Sequence, residues 1–336
     1  MITISGTVVY CSNPSLNPVP GVTLSLTGDA TDSTLSDGSG NYSFSENSGG
    51  NYVVTPSKAA LPPASSGIDT VDSVAVQMHY LGFTFIPPGC RLTAADVNAD
   101  SLIDTVDAIA IQRFYLGYAV GIGNAGKYKF SPLSRTYTAV VTNQMLQDYD
   151  ALIFGDVASG FVYLPEGGPS QDGAGNGTNG TDGTVATVTL PNAAVDPRRA
   201  DFSAEVTTSA IDPNQKLIGF QGDFIFDERM VTFQEPPVQN AGLTASNWNV
   251  SGHVLPGPGP AAGPIKTLRI SAFSLDLTPL SGEGTLFELR MTRVNQSGGT
   301  TQLLWVAPPN FLFIDSDLQT HKPGTAVPGS VESSKR

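Results

Sequence analysis

Only 14% of the 336 residues are charged, and the chain has just three histidines, two cysteines and two tryptophans. No run of eighteen apolar residues occurs, so nothing reads as a membrane-spanning helix. Basic residues are scarce, 17 Lys and Arg against 30 Asp and Glu for a net charge of −13. That balance argues against nucleic acid and anionic membranes as partners, since either needs a basic patch. His79, His253 and His321 are dispersed, and none sits at a metal-ligand spacing. There is no nucleophile elbow, and the glycine-rich run Gly175-Asn-Gly-Thr-Asn-Gly180 lacks a strand–helix setting. The acidic pair Asp227-Glu228 follows a strand and reads as a turn rather than a paired-carboxylate site. Trp248 and Trp305 could stack on sugars, but single tryptophans in strands are usually core or rim. The chain is therefore not read as an enzyme.

Turn formers are abundant: 36 Gly and 25 Pro. With Val, Thr and Ser rich between them, they describe a mainly β protein of two to four domains. Met1-Ile-Thr-Ile-Ser-Gly6 already reads as a strand, with no basic and apolar leader before it, which leaves open a secretory signal removed or lying outside this numbering. Cys11 and Cys90 lie in loop-like settings and could form a disulfide in an oxidising compartment; the alternative is two unpaired thiols. Asn41, Asn176, Asn179, Asn249 and Asn295 begin sequons, so they are candidate glycosylation sites if the source glycosylates.

The densest chemistry is Asp96-Val-Asn98-Ala-Asp100-Ser-Leu102-Ile-Asp104-Thr-Val-Asp107. It puts side-chain oxygens at positions 1, 3, 5, 9 and 12 of a twelve-residue loop, with the Leu102 carbonyl available at position 7. This spacing wraps hard oxygen ligands around one point, as Ca²⁺ requires. A solvated turn capping a helix is the bland alternative, which five oxygen side chains in register disfavour. The stretch after it, Leu102 to Gly117, repeats Gly67 to Gly82 at a shift of 35 residues. Two loop–helix copies of this kind resemble the dockerin family, in which two EF-hand-like units pack antiparallel. That resemblance implies Asp96, Asn98, Asp100 and Asp107 as side-chain calcium ligands, with Asp104 acting directly or through water. The chain departs from the pattern at Ser101, where Gly is usual, and a left-handed conformation costs about 1 kcal/mol or more. The first copy has Leu61, Pro63 and Ser65 where three ligands belong, leaving Asp69 and Asp72 as helix caps. One calcium ion is expected, not two.

Residues 1–60 alternate in period 2: Ile2 to Tyr10, Gly21 to Thr27, Gly40 to Phe44, Gly50 to Pro56. The order Gly6, Pro20-Gly-Val22, Asp37-Gly-Ser-Gly-Asn-Tyr-Ser-Phe44 and Gly50-Asn-Tyr-Val-Val54 resembles the carboxypeptidase-regulatory-like and Cna-B-like β-sandwiches. Those are mostly spacers and imply no chemistry. The helix pair takes 61–120, and 121–163 holds accessory strands that rejoin the sandwich or cover the helices. Residues 164–183 are a linker by composition, about 20 residues with a coil span of roughly 25 Å. Alternation returns over 184–316 in roughly nine strands fitting a jelly roll. The phrases Ile218-Gly-Phe-Gln-Gly-Asp-Phe-Ile-Phe-Asp227 and Leu280-Ser-Gly-Glu-Gly-Thr-Leu-Phe-Glu-Leu289 resemble the cohesin family, whose members are dockerin receptors. Nothing in the pattern assigns the binding face. The tail, 317–336, is Gly-, Pro- and Ser-rich and is expected to fray.

The expected architecture is thus two β-sandwiches with a two-helix dockerin-like module between them: an N-terminal immunoglobulin-like or prealbumin-like unit and a C-terminal cohesin-like jelly roll. A plug and a socket of matching type on one chain imply assembly. The chain is expected to be a secreted, extracellular or cell-surface protein that joins head to tail into a filament, with calcium stabilising the contact. The alternatives are a scaffold recruiting other cohesin- or dockerin-bearing, polysaccharide-acting proteins, or a carbohydrate-binding adhesin.

Overall fold

The computed structural model describes residues 1–11, 17–65, 67–158, 185–196, 198–257, 263–295, 298–306 and 311–333. The expected linker, 164–183, and the sequons at Asn176 and Asn179 lie outside the described residues.

The first half builds nine strands and three helices: β1 (Ile2–Tyr10), β2 (Asn17–Pro18), β3 (Thr23–Gly28), β4 (Asp32–Leu35), β5 (Asn41–Glu46), β6 (Gly50–Ser57), α1 (Thr70–Tyr80), α2 (Cys90–Ala95), α3 (Thr105–Leu116), β7 (Tyr128–Ser131), β8 (Arg135–Val140) and β9 (Tyr149–Ile153). One sheet runs β2-β1-β9-β7 with β5 also on β1, and the other runs β4-β3-β6-β8. Alternation in β1 sends Ile2, Ile4, Val8 and Tyr10 inward. At Gly6 a Cβ would stand 2.5 Å from the main chain of Gln147, so glycine there admits the crossing segment. β9 pairs parallel to β1, Val8 opposite Tyr149 and Tyr10 opposite Ala151. The strands of 121–163 are therefore members of the N-terminal sheets. A single core runs from Ile4, Leu24 and Phe44 to Ile111, Phe114 and Ile153, so the sandwich, helix pair and later strands of the sequence reading form one unit. Cys11, after β1, and Cys90, opening α2, are joined by a disulfide with their Cα atoms 5.4 Å apart.

The second half builds β10 (Val188–Thr189), β11 (Asn192–Val195), β12 (Asp201–Ile211), β13 (Leu217–Asp227), β14 (Val231–Asn240), β15 (Trp248–Pro256), β16 (Ile265–Ser274), β17 (Gly282–Arg293), β18 (Gly299–Trp305), β19 (Leu312–Asp315), β20 (Thr320–His321), β21 (Ala326–Val327) and β22 (Gly329–Ser333). One sheet runs β14-β17-β12-β10-β21, the other β11-β22-β18-β13-β16-β15, with β19 also on β13. Phe220, Phe224, Leu268, Ile270, Phe287 and Leu289 fill the space between them. The described part of the tail, up to Ser333, does not fray. β21 and β22 pair in parallel with β10 and β11, Val331 is buried, and the strand passes so close to Pro191 that a Cβ at Gly329 would meet its carbonyl oxygen. The glycine and proline that suggested a loose end instead shape a closing strand. The fold is mainly β: two sandwiches, with α-helices only in the first unit among the described residues.

Candidate docking site and cation loop

Both long helices start in the same way, 35 residues apart. Asp69 Oδ1 accepts the Val71 N–H at 2.7 Å, while Asp72 Oδ2 accepts the Asp69 N–H at 2.9 Å. In α3, Asp104 Oδ1 accepts from Val106 at 2.7 Å, and Asp107 Oδ2 from Asp104 at 3.1 Å. Each pair is a reciprocal capping box that satisfies orphan amides of the first turn. α3 ends at Gly117, whose φ of 87° is the left-handed stop that glycine allows.

The twelve-residue loop curls ahead of α3. Asp96 accepts the Asp100 and Ser101 amides through its two oxygens, both at 3.1 Å. Asn98 Oδ1 accepts from Asp100 at 3.0 Å, and Asp100 Oδ1 from Leu102 at 2.8 Å. Asp107 Oδ1 closes the loop, taking the Val97 and Asn98 amides at 3.0 and 3.2 Å. Burial pushes the Asp107 carboxyl up, and the nearby Asp96 charge adds to this against the three amides it accepts from. Ser101 stands at φ 70°, the strained conformation where glycine is usual. The donor set is all oxygen, which fits a hard cation, although no three His, Cys, Asp or Glu side chains converge as a metal-holding group among the described residues. The first copy shares one left-handed position, Ala64 at φ 68° where Ala99 has φ 62°, but Leu61, Pro63 and Ser65 offer no carboxylate.

The helix pair rests on the outer face of β13 and β16. Alternation sends Phe220 and Phe224 into the sandwich and turns Gly219, Gln221 and Asp223 outward, beside Phe273, Ser271 and Arg269 of β16. Thr70 N donates to Gln221 Oε1 at 3.0 Å, Gln221 Nε2 returns a bond to Asp69 Oδ2 at 3.2 Å, and the Thr70 and Ser271 hydroxyls lie 2.8 Å apart. Gln112 Nε2 donates to the Ser271 carbonyl and hydroxyl, both at 3.2 Å, and Gln77 Nε2 to the Leu275 carbonyl at 2.8 Å. These two glutamines occupy the same place in the two repeats, a signal present in the sequence whose role it did not assign. Ile218, Phe273 and Ile314 join the apolar core of the helix unit. A Cβ on Gly219 would sit 3.0 Å from Val74 Cγ2.

One edge of the interface is charged. Arg269 is bidentate to Asp223, at 2.9 and 2.8 Å, and its Nη1 donates to the carbonyls of Ala64 and Tyr115 at 3.3 and 3.2 Å. Burial opposes the Arg269 charge, but Tyr115, Asp223 and Asp69 outweigh it and hold its pKa above the usual range. His253 Nδ1 donates to the Leu116 carbonyl at 2.9 Å, and its ring stacks on Tyr118 at 4.2 Å. Burial pushes the Asp69 carboxyl up, against its bonds from Val71 and Gln221 and the Arg269 charge.

The remaining singled-out groups are scattered. His79 Nδ1 accepts the Ile86 amide at 3.0 Å, and His321 pairs with Asp315 at 2.6 Å. Asp227 is tied to Arg229 at 2.6 Å, and Glu228 stands 3.5 Å from Lys266. Trp248 is buried against Phe220, and Trp305 Nε1 donates to the Val327 carbonyl at 3.1 Å. Asn41 is exposed, whereas Asn249 and Asn295 are half-buried.

No family model matches the chain, and no curated protein matches it. Solved structures similar to it include a type I cohesin–dockerin complex from Clostridium thermocellum, at 12% identity over 45% of this chain and 100% of that one, TM-score 0.34. A non-cellulosomal cohesin from the archaeon Archaeoglobus fulgidus is similar at 15% identity over 45% of this chain and 90% of that one, TM-score 0.30. The cohesin module of a family 33 glycoside hydrolase from Clostridium perfringens is similar at 16% identity over 46% and 99%, TM-score 0.33.

Proposed function

We propose that this chain is a non-catalytic assembly protein in which a helix pair serves as the plug for a sheet-face socket of the same chain. The observation that carries this reading is the seating of α1 and α3 on β13 and β16 through Thr70, Gln77, Gln112, Gln221, Ser271 and Arg269. Those contacts join residues 1–158 to residues 185–333, and the only covalent tie between the units is the segment 159–184. The same surfaces can therefore be matched within one chain or between successive chains. When the 1–158 unit of one copy fills the socket of the next, the contact is heterologous and propagates into a filament. The resemblance of the two modules to dockerins and cohesins supports this reading.

One calcium ion belongs to the second loop in this reading, held by Asp96, Asn98, Asp100, Asp104 and Asp107 with the Leu102 carbonyl. It would supply charge compensation and folding energy to the start of α3. The Cys11–Cys90 disulfide and the low content of basic residues suit a secreted or cell-surface protein. Electron microscopy of the purified protein with calcium and with a chelator tests assembly: fibres that disperse on chelation support it, and monomers at high concentration with calcium contradict it. Stable capture of unrelated cohesin- or dockerin-bearing proteins by a monomeric chain would favour the recruiting scaffold instead. Retention on polysaccharide would favour an adhesin.

A further inference from the structure

The N-terminus of α1 lacks the loop that α3 has, yet its carboxylates are as fully engaged. Asp107 Oδ1 holds the amides of Val97 and Asn98, the second and third residues of its loop. Asp72, its equivalent 35 residues earlier, holds instead the amides of Val157 and Ala158, at 2.7 and 2.8 Å. Those residues follow Asp156, so Asp156-Val-Ala158 occupies toward α1 the place that Asp96-Val-Asn98 occupies toward α3. The two segments lie side by side, Gly155 N donating to the Ala94 carbonyl at 2.8 Å. Asp156 is buried, and its Oδ2 accepts the hydroxyl of Tyr10, a residue of β1, at 2.9 Å.

We propose that residues 156–158 are a cation-independent surrogate for the missing half of the first loop, clamping the root of the 159–184 segment to the start of α1. Protein donors replace the ion: Tyr10 serves Asp156, the Val157 and Ala158 amides serve Asp72, and Gln221 with the Val71 amide serves Asp69. An oxygen cluster satisfied by N–H and O–H groups needs no metal to offset its charge. Because Asp69 and Asp72 share one capping box and Asp69 bonds to Gln221 of β13, the clamp links the segment's root to the docking face. When units exchange between chains, residues up to Ala158 travel with the helix pair. The contrast between the two helix starts rests on the calcium reading of the second loop; the clamp itself does not.

Amide exchange followed by NMR on the full chain, with calcium and then with EGTA, tests this residue by residue. Chelation should speed exchange at Val97 and Asn98 about tenfold or more, while Val157 and Ala158 change by less than about twofold. Asp72→Ala should speed Val157 and Ala158 about tenfold in both conditions and leave the calcium stoichiometry by calorimetry at one ion. Equal acceleration of both amide pairs by EGTA, or loss of a second ion in Asp72→Ala, would overturn the proposal. If EGTA moves neither pair and no calcium binds, the calcium reading fails, and the Asp72→Ala arm alone decides the clamp: faster exchange supports it, unchanged exchange overturns it. Should Asp72→Ala not fold, Asp72→Asn should still accelerate the same two amides, and unchanged exchange there counts equally against it.

Discussion

Arg269 of β16 donates to the main-chain oxygen of Tyr115 at 3.2 Å, and its guanidinium carbon lies 4.7 Å from the centre of that tyrosine's ring. A single side chain of the C-terminal sheet thus reads both the backbone and the ring of the last turn of α3. Its charge is matched by Asp223 from the same sheet, and only one-sixth of the side chain is exposed. Arg269→Ala would leave Asp223 buried without its bidentate partner and should weaken docking by about 2–5 kcal/mol. Small-angle scattering should then report a more extended particle, with the circular dichroism of the sandwiches unchanged.

Gly219 is a point of close approach between β13 and α1. A Cβ there meets Val74 Cγ2 at 3.0 Å, the Ala272 carbonyl at 3.3 Å and Ile314 Cδ1 at 3.3 Å. Gly219→Val adds three carbons on the covered face of a strand that otherwise favours β-branched residues. It should push the helix pair off while leaving the sandwich folded, giving the same scattering signature as Arg269→Ala. An unchanged particle would place α1 elsewhere.

Docking should depend on pH through Asp69. Burial in the docked state raises its carboxyl pKa, whereas undocking uncovers it from Gln221 and returns it toward the ordinary value of about 4. The docked state therefore binds the proton more tightly. Docking is strongest below the ordinary carboxylate range, weakens as pH rises through the raised value, and levels off above it. Asp69→Asn should flatten this profile, measured as the docked fraction by scattering between about pH 4 and pH 8.

The two ends of the cation loop should behave differently when removed. Asp107 is fully buried and accepts three amides, so Asp107→Ala should destabilise the helix pair by about 1–3 kcal/mol even in chelator. Asp96 is less enclosed, and Asp96→Ala should act chiefly through lost calcium affinity. Calorimetry should show no calcium heat for either variant. Thermal melts in EGTA should separate them, with only Asp107→Ala clearly lowered.

Much of the fold is legible in the chain because its signals are local. The capping carboxylates Asp69, Asp72, Asp104 and Asp107 mark both helix starts within four residues each, and period-2 alternation marks the strands. What escapes is non-local. Nothing near Val8 announces that its parallel neighbour is Tyr149, or near Asn192 that Ser330 will pair with it. Docking residues escape for a different reason: Gln221, Asp223, Arg269 and Ser271 alternate with core residues as solvent-facing ones do, and only the helices make that face an interior. The available hint lay in α1, where Val71, Val74, Ala75, Val76 and Met78 are all buried, more apolar surface than one helix stripe presents.

A designed cross-link tests the central claim most directly. Thr70 and Ser271 face each other with hydroxyl oxygens 2.8 Å apart, so cysteines at both positions are placed to pair across the interface. The double variant Thr70→Cys, Ser271→Cys, oxidised in calcium and run without reductant, should be nearly fully cross-linked. It should form covalent multimers that lengthen with protein concentration when the plug fills a neighbouring chain's socket, and an internally linked monomer when dilute. Free thiols at both positions under all conditions would contradict the docking of the helix pair on this sheet.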